Sequence, residues 1–176
     1  MRLEPVPPIN RPQRITGCIY VELEEPVIHP WGRTGLWILA PYEVAVTHDK
    51  IVVAYITPLP VKYTLIGDIV GGSVCRHHRS SSAEELIKLS RRPGEAYVRV
   101  EINGPPAKIP GIGFYAATLP IYSDEGSRLY YPLLEAETSD VSLNVKVTHK
   151  PPLEGLELAQ RGRRVSIFLP SFLVPL

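Results

Sequence analysis

The sequence predicts an all-β domain, an antiparallel sandwich or flattened barrel with one short helix near 82–91. Three observations carry this prediction. Apolar and polar residues alternate with the two-residue period of half-buried strands. Nineteen prolines are spread along 176 residues, and proline ends helices and central strands, so the elements must be short. A single segment joins a capping signal to an apolar stripe at helical spacing.

In chain order, the first fourteen residues hold Pro5, Pro7, Pro8 and Pro12 and read as an extended arm before a single domain spanning 15–176. Residues 15–24 set Ile15, Gly17, Ile19, Val21 and Leu23 on one face, with Thr16, Cys18, Tyr20, Glu22 and Glu24 on the other. Segments 36–46 and 50–56 are more continuously apolar. Separated by Thr47-His48-Asp49, they read as a hairpin of buried strands. Residues 97–102 place Val98, Val100 and Ile102 inward, and 141–148 do the same with Val141, Leu143, Val145 and Val147. Further strands are expected at 61–66, 112–119, 128–136 and 164–169, and 103–111 reads as a rigid loop. The helix would start at Ser82 in a capping box with Glu85 and bury Leu86, Ile87 and Leu89. It would end at Pro93-Gly94, after Arg91 and Arg92 have met its negative C-terminal pole.

Composition narrows the function classes. Lys plus Arg and Asp plus Glu nearly balance, leaving a net charge of +1, so neither a wholly basic nucleic-acid coat nor an acidic tail is present. An apolar content of 44% excludes disorder. No uninterrupted apolar run reaches membrane-spanning length, and the start of the chain lacks the apolar stretch of a secretory signal, so a soluble, cytoplasmic protein is expected. Two Gln, three Asn and one Met accompany the abundant proline, a composition that predicts a thermophilic source. Cys18 and Cys75 are too few for a disulfide scaffold or a four-cysteine zinc site. The favoured reading packs them as two free, half-buried thiols. A disulfide stays open because intracellular disulfides occur in hyperthermophiles.

The stretches 4–16, 40–46 and 59–80 carry a Pro-rich entry to Ile15-Thr16, then Pro41-Tyr42-Glu43-Val44, then Lys62-Tyr63-Thr64-Leu65-Ile66-Gly67 leading to Arg76-His77-His78-Arg79. In these motifs the chain resembles an archaeal family known as domain of unknown function 432. The resemblance is strongest over the first half. It implies an archaeal β-rich domain and no activity, so it assigns a role to no residue.

The densest polar cluster is Cys75-Arg76-His77-His78-Arg79-Ser80-Ser81-Ser82. Arg76, Arg79, Ser80, Ser82, Arg91 and Arg92 are candidate anion-binding residues, because guanidiniums, hydroxyls and the free amides of a helix start all favour a phosphate or carboxylate. The alternative is a solvated strand end and cap. A second basic cluster, Arg161, Arg163 and Arg164, could add sequence-blind contact with nucleic-acid phosphates. No aromatic residues interleave with either run, however, so nucleic acid is not favoured. Cys75, His77 and His78 are weak metal candidates: the two histidines are adjacent and would face opposite sides of a strand, whereas Cys75 and His77 share one.

No hydrolase elbow, zinc-protease helix, P-loop or dinucleotide fingerprint is present, and Gly111-Ile112-Gly113 is only a fragment of the last. His48-Asp49 could pair as base and partner but falls where a turn is expected. The expectation is a noncatalytic binding or protein-interaction module without a cofactor. Its alternatives are an anion or nucleic-acid binder using the three basic clusters, and a histidine-based metal protein or hydrolase. The apolar tail Ser171-Phe172-Leu173-Val174-Pro175-Leu176 is expected on its own domain, or else against a protein partner or a second copy.

Overall fold

The computed structural model describes residues 1–8, 17–159 and 171–176. Apart from one 3-10 turn, every regular element in them is a strand, so the all-β class holds. The front sheet has the order β6 (Tyr63–Ile66), β7 (Ser73–Ser80), β2 (Cys18–His29), β9 (Ala107–Tyr115). In the back sheet, β3 (Gly32–Pro41) pairs along its whole length with β8 (Glu95–Gly104). The sheet then continues through β12 (Leu134–Thr138), β13 (Ser142–Val147) and β15 (Phe172–Pro175). The short β10 (Tyr122–Ser123), β11 (Leu129–Tyr130) and β14 (Glu157–Leu158) extend it beside the start of β8. A third, small sheet joins β1 (Arg2–Val6), β4 (Glu43–His48) and β5 (Ile51–Ile56).

The expected alternation is what closes the sandwich. Ile19, Val21 and Leu23 of β2 and Ile112 and Phe114 of β9 face Val98, Val100 and Ile102 of β8 and Leu143 and Val145 of β13 in one buried cluster. Each such side chain contributes roughly 1.5–3 kcal/mol by leaving water. The tail completes it: β15 pairs antiparallel with β13, and Phe172 and Val174 are buried. Behind the back sheet a smaller cluster packs Trp37, Leu39, Tyr97, Tyr122 and Tyr130 under Leu89.

Several expectations are corrected. The segment 36–46 is two strands, because Tyr42 leaves the back sheet and carries the chain into β4. The β4–β5 hairpin forms around Asp49 and Lys50, both in left-handed backbone with φ of 49° and 69°. Its strands are not both buried, since all six residues of β5 are exposed. Val141 lies before β13 and is exposed, so the inward row begins at Leu143. The loop expected at 103–111 shrinks to Pro105-Pro106, where the chain crosses from the back sheet to the front. Thr138 holds that crossover by donating to the carbonyl of Pro105 at 2.6 Å. The proposed strand at 164–169, the start of 15–24 and the cluster Arg161, Arg163 and Arg164 lie outside the described residues.

The helix near 82–91 is not formed. Only Leu86–Lys88 make a 3-10 turn, preceded by an extended Glu85 with no side-chain cap. The reason is tertiary. Ala83 gives its amide to Trp37 and takes the Trp37 amide on its carbonyl, at 3.1 and 2.7 Å, so the backbone groups a first helical turn needs are spent on the sheet. The segment lies as a strap over the aromatic cluster, with Leu86 and Leu89 inward and Ile87 in solvent.

The free-thiol reading is also overturned. The register that sets Ile19 beside Arg76 brings Cys18 against Cys75, and the two form a disulfide across the neighbouring β2 and β7 with a Cα separation of 4.8 Å. Both cysteines are fully buried.

Candidate functional site

Strand β7 reads Ser-Val-Cys-Arg-His-His-Arg-Ser, and its register with β2 decides which of these side chains meet water. Arg76, His78 and Ser80 lie beside Ile19, Val21 and Leu23, on the inner face, while His77 and Arg79 lie beside Tyr20 and Glu22, on the outer face. Half of the basic run therefore points into the protein. Arg76 is 1% exposed, and its guanidinium meets the buried Glu43 carboxylate at 3.4 Å. Ser80 accepts the Leu39 amide at 2.9 Å and donates to the Ser81 carbonyl at 2.6 Å. Both are structural, not open anion-binding groups.

The remaining cations meet at a sheet edge. Strand β6 pairs with β7 only as far as Tyr63 opposite Arg76. One last bond follows, from the His77 amide to the Lys62 carbonyl at 2.8 Å, and beyond it β7 has no neighbour on that side among the described residues. A cleft of about 340 Å³ occupies the opening, lined by Leu59, Pro60, Lys62, Arg79 and Arg92, by the ion-paired Glu22 and His77, and by the buried His78.

The electrostatics of this cleft are uneven. Among the described residues Lys62 and Arg79 pair with no carboxylate. Arg92 uses its Nε on Glu95 at 2.5 Å. His77 Nε2 is bonded to Glu22 at 2.8 Å. His78 is different: its side chain is 9% exposed, its Nε2 has no hydrogen-bond partner, and the nearest carboxylate oxygen, of Glu95, is 3.9 Å away. An unsatisfied buried polar atom costs about 1–3 kcal/mol and calls for a reason. Desolvation, reinforced by Arg92, Arg76 and His77, pushes the His78 pKa down to about 4, so at neutral pH the ring is uncharged.

This depression has a testable consequence for stability. Unfolded, His78 takes up its proton near pH 6.5; folded, it does so only near pH 4, so between those values the unfolded chain holds more protons. Stability from this group is full above pH 6.5 and is lost as pH falls, by up to about 3 kcal/mol once pH 4 is reached. Urea midpoints measured from pH 7 to pH 5 should fall in the wild type and stay flatter in His78→Asn. Equal slopes would show that His78 is not the source.

Of the six anion candidates, then, the fold brings Arg79 and Arg92 to one cleft. Arg76 and Ser80 are interior, Arg91 donates to the Glu95 carbonyl at 3.3 Å, and Ser82 has no helix start to serve. Lys62 and the inward position of His78 escaped the sequence reading. Spacing gives no signal for Lys62, whereas alternation along 75–80 would have placed His78 inside. As for metal, Cys75 is consumed in the disulfide, and among the described residues no group of three or more His, Cys, Asp or Glu is placed to hold an ion. His29 bonds Thr34 and the Gly104 carbonyl at 2.6 and 3.0 Å, and His48 and Asp49 form an exposed pair in the β4–β5 turn.

Fold and cleft together define an all-β protein with a basic pocket at the open edge of its front sheet. The chain belongs to the family described as protein of unknown function (DUF432), whose model matches residues 1–172. Neither a curated protein nor a solved structure matches it. Among the described residues no helix is long and apolar enough to cross a membrane.

Proposed function

We propose that this protein is a noncatalytic binding module that takes a small oxyanion, a phosphate or carboxylate group, in the cleft at the edge of β7. The observation that carries the reading is the buried His78 Nε2 without a hydrogen-bond partner, in a residue that lines one sheet-edge cleft with Lys62, Arg79 and Arg92. A neutral imidazole can donate one N–H to an anionic oxygen, and the guanidiniums add charge-assisted bonds. A compact ligand is favoured over a polynucleotide because, among the described residues, nearby arginines do not continue the cleft as a track: Arg76 is buried on Glu43, and Arg99 of β8 is held by Glu101 at 2.9 Å. The disulfide, joined to the proline-rich composition, supports a thermophilic archaeal origin, where cytoplasmic disulfides persist.

Titration calorimetry with inorganic phosphate and with sulfate tests the reading. Binding should be measurable in the wild type and weaken about tenfold in Arg79→Gln, the worth of one charge-assisted contact at a partly exposed site. The His78 ring resonances should shift on saturation. Absence of binding, or an unchanged affinity in the variant, overturns the assignment. A parallel titration with single-stranded nucleic acid at two salt concentrations would reveal a polynucleotide ligand by a steep loss of affinity with salt.

A further inference from the structure

The outer face of the front sheet holds a second depression beside the anion cleft. It encloses about 530 Å³, and Glu22 and His77 line both depressions, so the two adjoin across that ion pair. Strand register explains what gathers there. Tyr20 of β2 lies beside His77 of β7, with ring centroids 6.3 Å apart and planes tilted by 33°. On the other flank of β2, Gly113 and Gly111 of β9 stand opposite Tyr20 and Glu22. The Tyr20 ring leans over Gly111, where any Cβ would collide with it. Glycine thus leaves room for the ring on the sheet surface, where it stays half-buried. Pro26, Ile66 and Pro110 add apolar lining, and Thr64, Glu22 and Glu24 supply the polar groups.

We propose that the two depressions form one site for a phosphorylated monosaccharide, with the phosphate held by Lys62, Arg79 and Arg92 and the sugar ring seated against Tyr20. This rests on the reading of the cleft as an anion site. Three features select a sugar as the body of the ligand. An ionised carboxylate only accepts hydrogen bonds, so Glu22 and Glu24 call for hydroxyl or amine donors and disfavour a second anion. Glu22 reaches His77 through Oε2, and among the described residues Glu24 pairs with no cation. Secondly, Thr64 of β6 and the two glutamates of β2 stand on opposite sides of β7, roughly 10 Å apart by strand spacing. A sugar ring with a hydroxyl at each side can span that gap, whereas one ammonium group cannot. Finally, Tyr20 joins an apolar ring face, suited to the C–H face of a sugar, to a polar tip.

Titration calorimetry comparing inorganic phosphate with glucose 6-phosphate, fructose 6-phosphate and O-phosphoethanolamine tests the proposal. At least one sugar ester should bind about tenfold tighter than inorganic phosphate, the worth of two added neutral hydrogen bonds. Tyr20→Leu should lose that gain while binding inorganic phosphate as the wild type does. If phosphate binds and neither sugar ester binds tighter, if O-phosphoethanolamine matches them, or if Tyr20→Leu keeps the gain, the inference falls while the anion cleft stands. If phosphate itself does not bind, the cleft reading falls and takes this one with it. Should Tyr20→Leu misfold, nuclear magnetic resonance of the wild type decides. The Tyr20 ring signals should move with the sugar ester and stay in place with phosphate alone, and the same response to both overturns the proposal.

Discussion

Replacing Arg76 with methionine is expected to destabilise the protein by about 3–5 kcal/mol, because it takes the guanidinium away from a buried carboxylate. Arg76 and Glu43 are 1% and 4% exposed, with their charged groups 3.4 Å apart. Glu43 also accepts the Thr57 hydroxyl at 3.3 Å, and Arg76 reaches the Leu59 carbonyl at 3.5 Å. The pair therefore links β7 of the front sheet to β4 of the small sheet and to the segment walling the cleft. Removing one member takes the oppositely charged group away from the other in a dry interior, while replacing both with apolar groups of similar volume costs much less. Arg76→Met and Glu43→Leu should each be strongly destabilising, and the double variant should recover most of the loss. Chemical denaturation of the three variants gives the coupling. A double variant whose loss equals the sum of the two singles would show that the charges do not act as a pair.

Loss of the Cys18–Cys75 bond should come close behind. A sequence separation of 57 residues corresponds to about 4 kcal/mol of unfolded-chain entropy in the loop-closure treatment, and removal of native bridges typically costs about 2–5 kcal/mol. For a chain of this size each kcal/mol moves the melting temperature by about 2–4 °C, so Cys18→Ala/Cys75→Ala should melt roughly 10 °C lower. The wild type denatured in reductant should gain mass and lose the same stability, and an unchanged melting temperature under full reduction would refute it.

What the sequence disclosed and what it hid divide along one physical line. The inward rows Ile19-Val21-Leu23, Val98-Val100-Ile102 and Leu143-Val145-Val147 were legible because strand periodicity is local and the core is apolar. The same alternation runs through 75–80, but there the inward residues are Arg76, His78 and Ser80. They are tolerable inside only because Glu43 and the Leu39 amide wait for Arg76 and Ser80, and those partners are supplied by strands more than thirty residues away. Long-range pairing also undid the helix. Ser82 and Glu85 make a sound capping signal, yet the sheet bonds of Ala83 to Trp37 outbid it. The disulfide was hidden for a related reason, since nothing local sets β2 and β7 side by side in parallel. The cleft is legible only in part: Arg79 and Arg92 stand out as basic residues, whereas Lys62 joins them because β6 stops pairing where it does.

The placing of β2 at the centre of the front sheet shapes how the chain must assemble. Both of its neighbours are made much later, β7 ending at Ser80 and β9 at Tyr115. During synthesis the central strand thus leaves the ribosome with two bare flanks and waits until most of the polypeptide has emerged. Closing such large loops first is slow, on the millisecond-to-second scale of β-rich folds, so these two distant pairings set the pace at which the front sheet can form.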